Sequence, residues 1–317
     1  MEIRVKCPAK INLTLEILNK REDGFHNIQS VMQTINLFDI LTIKVEKSEK
    51  FEIKLSGTSD EIPYDERNLV YKAILLFFNY LCCRAGMPDL RQKSCDSRSG
   101  IPARQQEVKY QISVCIEKNI PVAAGLAGGS TDAAGVLFGL NKLFDNIFSD
   151  KELHELCSKL GSDLNFCLEG GCQLATGRGE ILTQLPVQEF SLSLIKPKNL
   201  GISAKEAYTK FSQLKDKPNL NMTEKLVEAL KSGDTDIEEL LHNDLEFALV
   251  DDYKELQEIR MEYPEAIMSG SGSTFFVLNY NFKDFDDSFW IKTDLKSISY
   301  GVCEDNTGLQ SKPDLKW

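Results

Sequence analysis

Apolar and polar residues alternate over positions 108–116: Val108, Tyr110, Ile112, Val114 and Ile116 fall on one face, Lys109, Gln111, Ser113 and Cys115 on the other. A period of two predicts a half-buried strand. Beyond a run of Gly, Ala and Ser the period changes. Ala133, Val136, Leu137, Leu140, Leu143 and Phe144 recur at helical spacing, which predicts a helix beginning near Ser130. Upstream, residues 3–5, 11–18, 41–45 and 51–55 read as strands and 68–82 as a helix. Downstream, helices are expected over 151–160, 204–211, 224–230, 237–249 and 253–262, with strands near 171–175, 192–195 and 274–278. The pattern is that of an α+β protein, with no internal repeat. Residues 84–106, RAGMPDLRQKSCDSRSGIPARQQ, are polar, rich in Pro, Gly and Ser and without period, so they read as a flexible surface insertion.

At 317 residues the chain is long enough for one large or two medium domains, taken here as 1–160 and 161–317. Its net charge of -11 provides no electrostatic footprint for nucleic acid or an anionic membrane, so an anionic ligand must be held by local geometry. The N-terminus MEIRVKCPAKINL has no apolar core of signal length, and no stretch approaches the roughly 20 apolar residues of a membrane span. A cytoplasmic protein is expected. Nine Cys without metal-like spacing fit reduced, buried thiols, and Cys82 and Cys83 on an apolar helix are expected in the core.

The Gly-rich run IPVAAGLAGGSTDAAGVLFGLN connects the strand to the helix. Such a turn leaves backbone N–H groups unpaired at the positive end of a helix dipole, which is a cradle for phosphate. Gly125, Gly128 and Gly129 would permit φ > 0 and a close phosphate approach, while Ser130 and Thr131 offer hydroxyls to the anion or to its Mg²⁺. The other reading is a tight structural turn, with Gly135 and Gly139 allowing close helix packing. Asp132, in the first turn, is either a dipole-stabilising acid or an acid with a chemical task beside phosphates. Lys10, in CPAKINLTLEIL, is read at the start of an apolar strand, either as a snorkelling edge residue or as a buried, paired cation. A second Gly/Ser turn, MSGSGSTFFVL, precedes another buried strand.

The order of K-I-N-L, P-x-A-A-G-L-A-G-G-S-x-D-A-A and M-S-G-S-G-S resembles the GHMP kinase superfamily. The stretches AKINLTLEI, REDGFHNIQSVMQTINLFD, GGSTDAAGVLFGLN, LGSDLNFCLEGG and HNDLE carry the likeness further, toward the branch that phosphorylates a cytidine-diphosphate alcohol in the non-mevalonate isoprenoid route. The resemblance implies two α+β domains, a ribosomal protein S5 domain 2-like N-terminal one and a ferredoxin-like C-terminal one, with the active site between them. It implies ATP and Mg²⁺ as cofactors, a small cytidine-diphosphate substrate as partner, and a monomer or homodimer.

By the same resemblance Asp132 matches the catalytic acid that takes the hydroxyl proton, and Lys10 its partner lysine. Asn12, two residues along the strand on the same face, matches a substrate contact. Pro121, Ala123, Ala124, Gly125, Leu126, Ala127, Gly128, Gly129, Ser130 and Thr131 match the ATP phosphate loop, Ser130 or Thr131 being a candidate Mg²⁺ ligand. Phe25 and His26 of DGFH match cytosine-binding positions, and Tyr208 a second stacking aromatic. Residues 269–273 should close over the cleft. Phe25 stands where the family has Tyr; Ala127 stands where Gly is common, so its φ should be negative or the loop strained; Asn165 stands where Pro is usual, which should loosen the backbone. Another GHMP small-molecule kinase and a non-catalytic nucleotide sensor are the competing readings.

Overall fold

The computed structural model describes residues 1–84, 109–215, 218, 220–283 and 285–308; of the expected insertion at 84–106, all but Arg84 lies outside the described residues. The chain opens with three consecutive strands, β1 (Glu2–Asn12), β2 (Thr14–Lys20) and β3 (His26–Ser48). β3 is 23 residues long and pairs along its length with β1, β2, β5 (Lys109–Glu117) and β6 (Cys172–Thr176). It is thus the spine of a sheet of nine strands among the described residues. β4 (Glu52–Gly57) extends the sheet from β5 in parallel, and β7 (Ile181–Leu185) extends it from β6. Helices α1 (Leu69–Arg84), α2 (Gly128–Leu143), α3 (Asp150–Leu160) and α4 (Leu164–Glu169) cover this sheet.

The second sheet is antiparallel, with β8 (Ser191–Pro197) flanked by β11 (Phe275–Leu278) and β12 (Phe289–Lys296), and β10 (Ile267–Met268) beyond β11. α5 (Ala204–Gln213) and α7 (Lys254–Glu262) supply apolar residues to its core, and α6 (Met222–Ser232) packs against β2 and β3. The sheets do not divide at residue 160. β6, β7, β9 (His242–Asn243) and β13 (Cys303–Glu304) all return to the large sheet.

The core follows the apolar pattern. Ile74 and Phe77 of α1, Val136, Leu137 and Leu140 of α2, and Val5, Ile43 and Val114 of the sheet are buried in one cluster. Fully burying a side chain such as Phe77 is worth roughly 1.5–3 kcal/mol. A Cβ at Gly135 would meet Cys7 Sγ and one at Gly139 would meet Ile43 Cδ1, so these two glycines let α2 lie directly on the sheet. The thiols of Cys7, Cys115, Cys157, Cys167 and Cys172 are buried and free, but Cys83 is exposed, because it falls on the solvent side of α1.

Two expectations are corrected here. Residues 237–249 form short 3-10 turns around β9 rather than one helix. His242 and Asn243 pair in parallel with Thr14 and Leu15, and that pairing overrides the local helical period. Lys10 lies near the end of β1, not at the start of a strand. The sequence pattern also passed over β7, β12 and the first half of β3.

Candidate active site

The β1–β3 ladder shifts register between Pro8 and Ala9. Pro8 has no N–H for the ladder, and a bulge there re-aims the strand. Before the bulge Val5 and Cys7 pack into the core beneath α2; after it Ala9 and Ile11 pack into a second cluster, and Lys10 and Asn12 line a cleft of about 830 Å³. The two are neighbours on one face, as the spacing predicts. Lys10 Nζ donates to Asn12 Oδ1 at 2.5 Å and to the Gly125 carbonyl at 3.0 Å, while Asn12 Nδ2 donates to Ser30 Oγ at 2.7 Å. Lys10 is therefore a buried, hydrogen-bonded cation at the cleft wall.

The Gly-rich loop runs from β5 into α2. Gly125 takes φ +74°, and Ala123 and Ala127 take φ +49° and +59°. Of the two outcomes expected for Ala127, the left-handed one is adopted, at a cost on the order of 1–2 kcal/mol for a residue with a Cβ. Gly128 and Gly129, by contrast, begin the helix without a positive φ. Their role is not backbone freedom. No side chain caps α2, so its first N–H groups are unpartnered, and a Cβ at Gly129 would stand in open space. The uncapped end and the open approach suit a phosphate. The side chains of Ala124, Leu126 and Thr131 are buried, so these residues reach an anion only through the main chain. Ser130 lines the cleft, whereas the side chain of Thr131 is fully buried and does not line it. Among the described residues no cluster of three His, Cys, Asp or Glu could hold a metal.

The second Gly/Ser turn packs onto this loop. Ser269 Oγ donates to the Gly125 carbonyl at 3.1 Å and accepts from the Asn12 N–H at 3.3 Å, and Gly270 and Ser271 line the cleft. A Cβ at Gly125 would strike the Ser269 carbonyl, so only glycine permits the contact. Asn243, in HNDLE, holds the turn from behind by donating to the Gly270 carbonyl at 2.8 Å.

The far end of the cleft is aromatic. The turn between β2 and β3, closed by the Arg21 N–H on the Phe25 carbonyl at 2.8 Å, presents Phe25 with 54% of its surface exposed. Arg178 lies over the Phe25 ring at 5.1 Å. His26 stacks on Tyr208, with centroids 5.4 Å apart, and its Nε2 lies 3.2 Å from Ser212 Oγ. Phe25 on the turn and the His26–Tyr208 stack, from β3 and α5, line the same cleft.

Asp132 does not meet Lys10. Its carboxylate is only 3% exposed, lies off the cleft lining, and accepts from Lys118 Nζ at 2.9 Å. Lys118 also pairs with Asp39, whose other oxygen accepts from the N–H groups of Asn119 at 2.6 Å and Ile120 at 2.8 Å. Burial, assisted by the Asp39 charge and opposed by Lys118, pushes the Asp132 carboxyl up to about 8. The two carboxylates more than offset burial at Lys118 and raise its ammonium above the ordinary lysine range. The expected Lys10–Asp132 pair is absent because the second turn of α2 aims Asp132 inward, toward Asp39 of β3 and Lys118 just past β5.

The acid that shares the cleft with Lys10 is Asp163. It precedes α4, its carboxylate caps nothing, and among the described residues it forms no ion pair. Buried Cys167, one turn on, is pushed up first by burial; Asp163 adds to that and Lys10 opposes it, so both charges reach the same thiol. The quoted stretch LGSDLNFCLEGG contained Asp163, but a single Asp in a short loop carries no periodic signal. Asp39 did carry one, as a charge between Phe38 and Ile40 of β3; Lys118, between Glu117 and Asn119 just past β5, carried none. Asn165 ties α3 to α4 instead of loosening the backbone, donating to Ser158 Oγ at 2.8 Å and contacting His154 Nδ1 at 3.2 Å.

Residues 68–171 match the family description "GHMP kinases N terminal domain". A protein of Caldanaerobacter subterraneus subsp. tengcongensis named 4-diphosphocytidyl-2-C-methyl-D-erythritol kinase is 39% identical over 304 residues, 94% of each chain. One of the same name from Clostridioides difficile is 38% identical, covering 92% of this chain and 91% of that one. A crystal structure of 4-(cytidine 5'-diphospho)-2C-methyl-D-erythritol kinase superposes with a TM-score of 0.64 at 27% identity, over 94% of this chain and 100% of that one. Among the described residues no helix is long and apolar enough to cross a membrane.

Proposed function

The chain belongs to the 4-diphosphocytidyl-2-C-methyl-D-erythritol kinase family of GHMP kinases, and on that premise we propose that it phosphorylates the C2 hydroxyl of that cytidylated alcohol with ATP. The products are the 2-phosphate and ADP, a step of the non-mevalonate route to isoprenoids. The observation that carries the reading is a single cleft lined at one end by Lys10, Ser130 and Asp163 and at the other by Phe25, His26 and Tyr208.

Phosphoryl transfer asks mainly for positioning and for neutralisation of charge. The uncapped start of α2 and the loop before it hold the ATP phosphates through main-chain N–H groups. The base stacks at the aromatic end, on Phe25 and Tyr208, with His26 at its edge. Lys20, Arg178 and Lys205 bring positive charge to the cleft wall, which suits a diphosphate in a chain that is otherwise acidic. On this reading the C2 hydroxyl sits between Lys10 and Asp163. Asp163, with no competing partner, accepts the hydroxyl proton as the oxygen attacks the γ-phosphorus; Lys10 orients that oxygen. Asp132 has no part in the proton transfer. Ser130 would help hold Mg²⁺ beside the nucleotide, and the ion would supply charge neutralisation there.

The test is ATP consumption with Mg²⁺ and four alcohols in turn: the cytidylated methylerythritol, methylerythritol 4-phosphate, mevalonate and homoserine. Turnover is expected with the cytidylated alcohol alone. Equal turnover of a nucleoside-free alcohol would reassign the substrate within the superfamily, and ATP binding without turnover of any would make the protein a sensor.

A further inference from the structure

The phosphate loop has two ends, and one buried cation touches both. Lys118 follows the last residue of β5, just before the loop, and Asp132 lies at the start of the second turn of α2, just after it. We propose that Lys118 is a positioning residue for the phosphate loop: clamped between Asp39 and Asp132, its ammonium fixes the separation of the loop's two ends and so the N–H groups that receive ATP. The inference rests on the reading of this loop as the ATP site.

Three observations carry it. Lys118, Asp39 and Asp132 have side chains only 5%, 0% and 4% exposed, so the clamp sits in a medium where an unpaired charge is expensive and its geometry tightly held. Asp39 grips main chain as well as the ammonium: its Oδ1 takes the N–H groups of Asn119 and Ile120, the two residues that lead into Pro121. Finally, Gly128 has an ordinary helical conformation, yet a Cβ there would stand 2.8 Å from Lys118 Nζ and 3.1 Å from Ile120 Cγ2. The start of α2 is shaped around the ammonium.

The centre of the loop is held independently. The Lys10 N–H donates to the Leu126 carbonyl at 3.2 Å, and Lys10 Nζ and Ser269 Oγ both donate to the Gly125 carbonyl. Loss of the clamp therefore releases the ends of the loop while leaving Lys10 and the alcohol site in place. That separates positioning from simple stability: a merely structural pair would weaken both substrates together, whereas the clamp governs ATP alone.

The experiment measures ATP affinity directly, by calorimetry in the absence of alcohol, and the KM of each substrate, in wild type, Lys118→Met, Asp132→Leu and Asp132→Asn. Lys118→Met should raise the ATP Kd and KM by about tenfold or more and leave the KM of the cytidylated alcohol within about twofold, since small misplacements of binding groups are costly in phosphoryl transfer. Asp132→Leu, which frees only the helix end and keeps the Lys118–Asp39 pair, should show the same selective defect and serves if Lys118→Met does not fold. Asp132→Asn retains an acceptor for Lys118 and should bind ATP like wild type. A folded Lys118→Met or Asp132→Leu protein with wild-type ATP affinity, or with equal losses for both substrates, overturns the proposal. Wild-type protein that binds no ATP overturns the reading of the loop itself, and the proposal with it.

Discussion

Lys118, not Lys10, is the ion-pair partner of Asp132, at 2.9 Å. The two lysines have different neighbours: Lys118 joins the two ends of the Gly-rich loop, and Lys10 lines the cleft together with Asp163. Asp163→Asn should therefore cut turnover by about 10²-fold or more, the scale of a lost general base, with little change in ATP affinity. Asp132→Asn should retain most of its turnover. Steady-state kinetics on the two variants decide the matter, and the reverse order of effects would return the base to Asp132.

Asp132 should also mark the pH dependence of stability. Its carboxyl is raised from 3.8 to about 8 by burial, so the native protein holds a proton that the unfolded chain has already released between those values. This contribution is complete below the unfolded value and is lost as pH rises through the folded one, with a slope of at most about 1.4 kcal/mol per pH unit. Lys118 shifts the other end of the scale, its contribution being lost only above the ordinary lysine range. Urea unfolding from pH 5 to 8 should show a fall in wild-type stability that Asp132→Asn lacks. Parallel curves for the two proteins would show that Asp132 is ionised throughout.

Lys10 makes two separable contacts with the loop, one through its N–H to Leu126 and one through Nζ to Gly125. Lys10→Met keeps the first and loses the second together with the cation beside the reacting hydroxyl. Single-turnover rates should fall by about 10²-fold while ATP binding changes little. A variant with near-normal chemistry would make Lys10 a purely structural cation.

Phe25 is an exposed aromatic backed by Arg178 at 5.1 Å, a surface suited to stacking a base. Base stacking on an aromatic is worth about 1–3 kcal/mol, so Phe25→Ala should raise the KM of the cytidylated alcohol by about tenfold or more and leave that of ATP alone. Phe25→Tyr should behave like wild type. Unchanged alcohol KM in the Ala variant would move the base elsewhere in the cleft.

The sequence by itself determined the Gly-rich turn and the Lys10–Asn12 pair, because each depends on local rules: glycine at a strand-to-helix turn, and residues two apart on a strand. The aromatic set was expected only from a resemblance, and the stack of His26 on Tyr208 depends on α5 lying against the start of β3. It also determined most helices and strands where apolar residues recur with a clear period, residues 237–249 being the exception. It did not determine β9, whose two residues are strand only because Thr14 and Leu15 pair with them from more than two hundred positions away. Nor did it determine the direction in which Asp132 points. One acid near the start of α2 and another before α4 are equivalent as letters; the packing of α2 against β1 and β3, made close by Gly135 and Gly139, turns Asp132 toward Asp39 and Lys118. Asp163 remains at the cleft with Lys10. Local chemistry is written along the chain, but the pairing of charges depends on which elements lie against one another, and only the tertiary structure decides that.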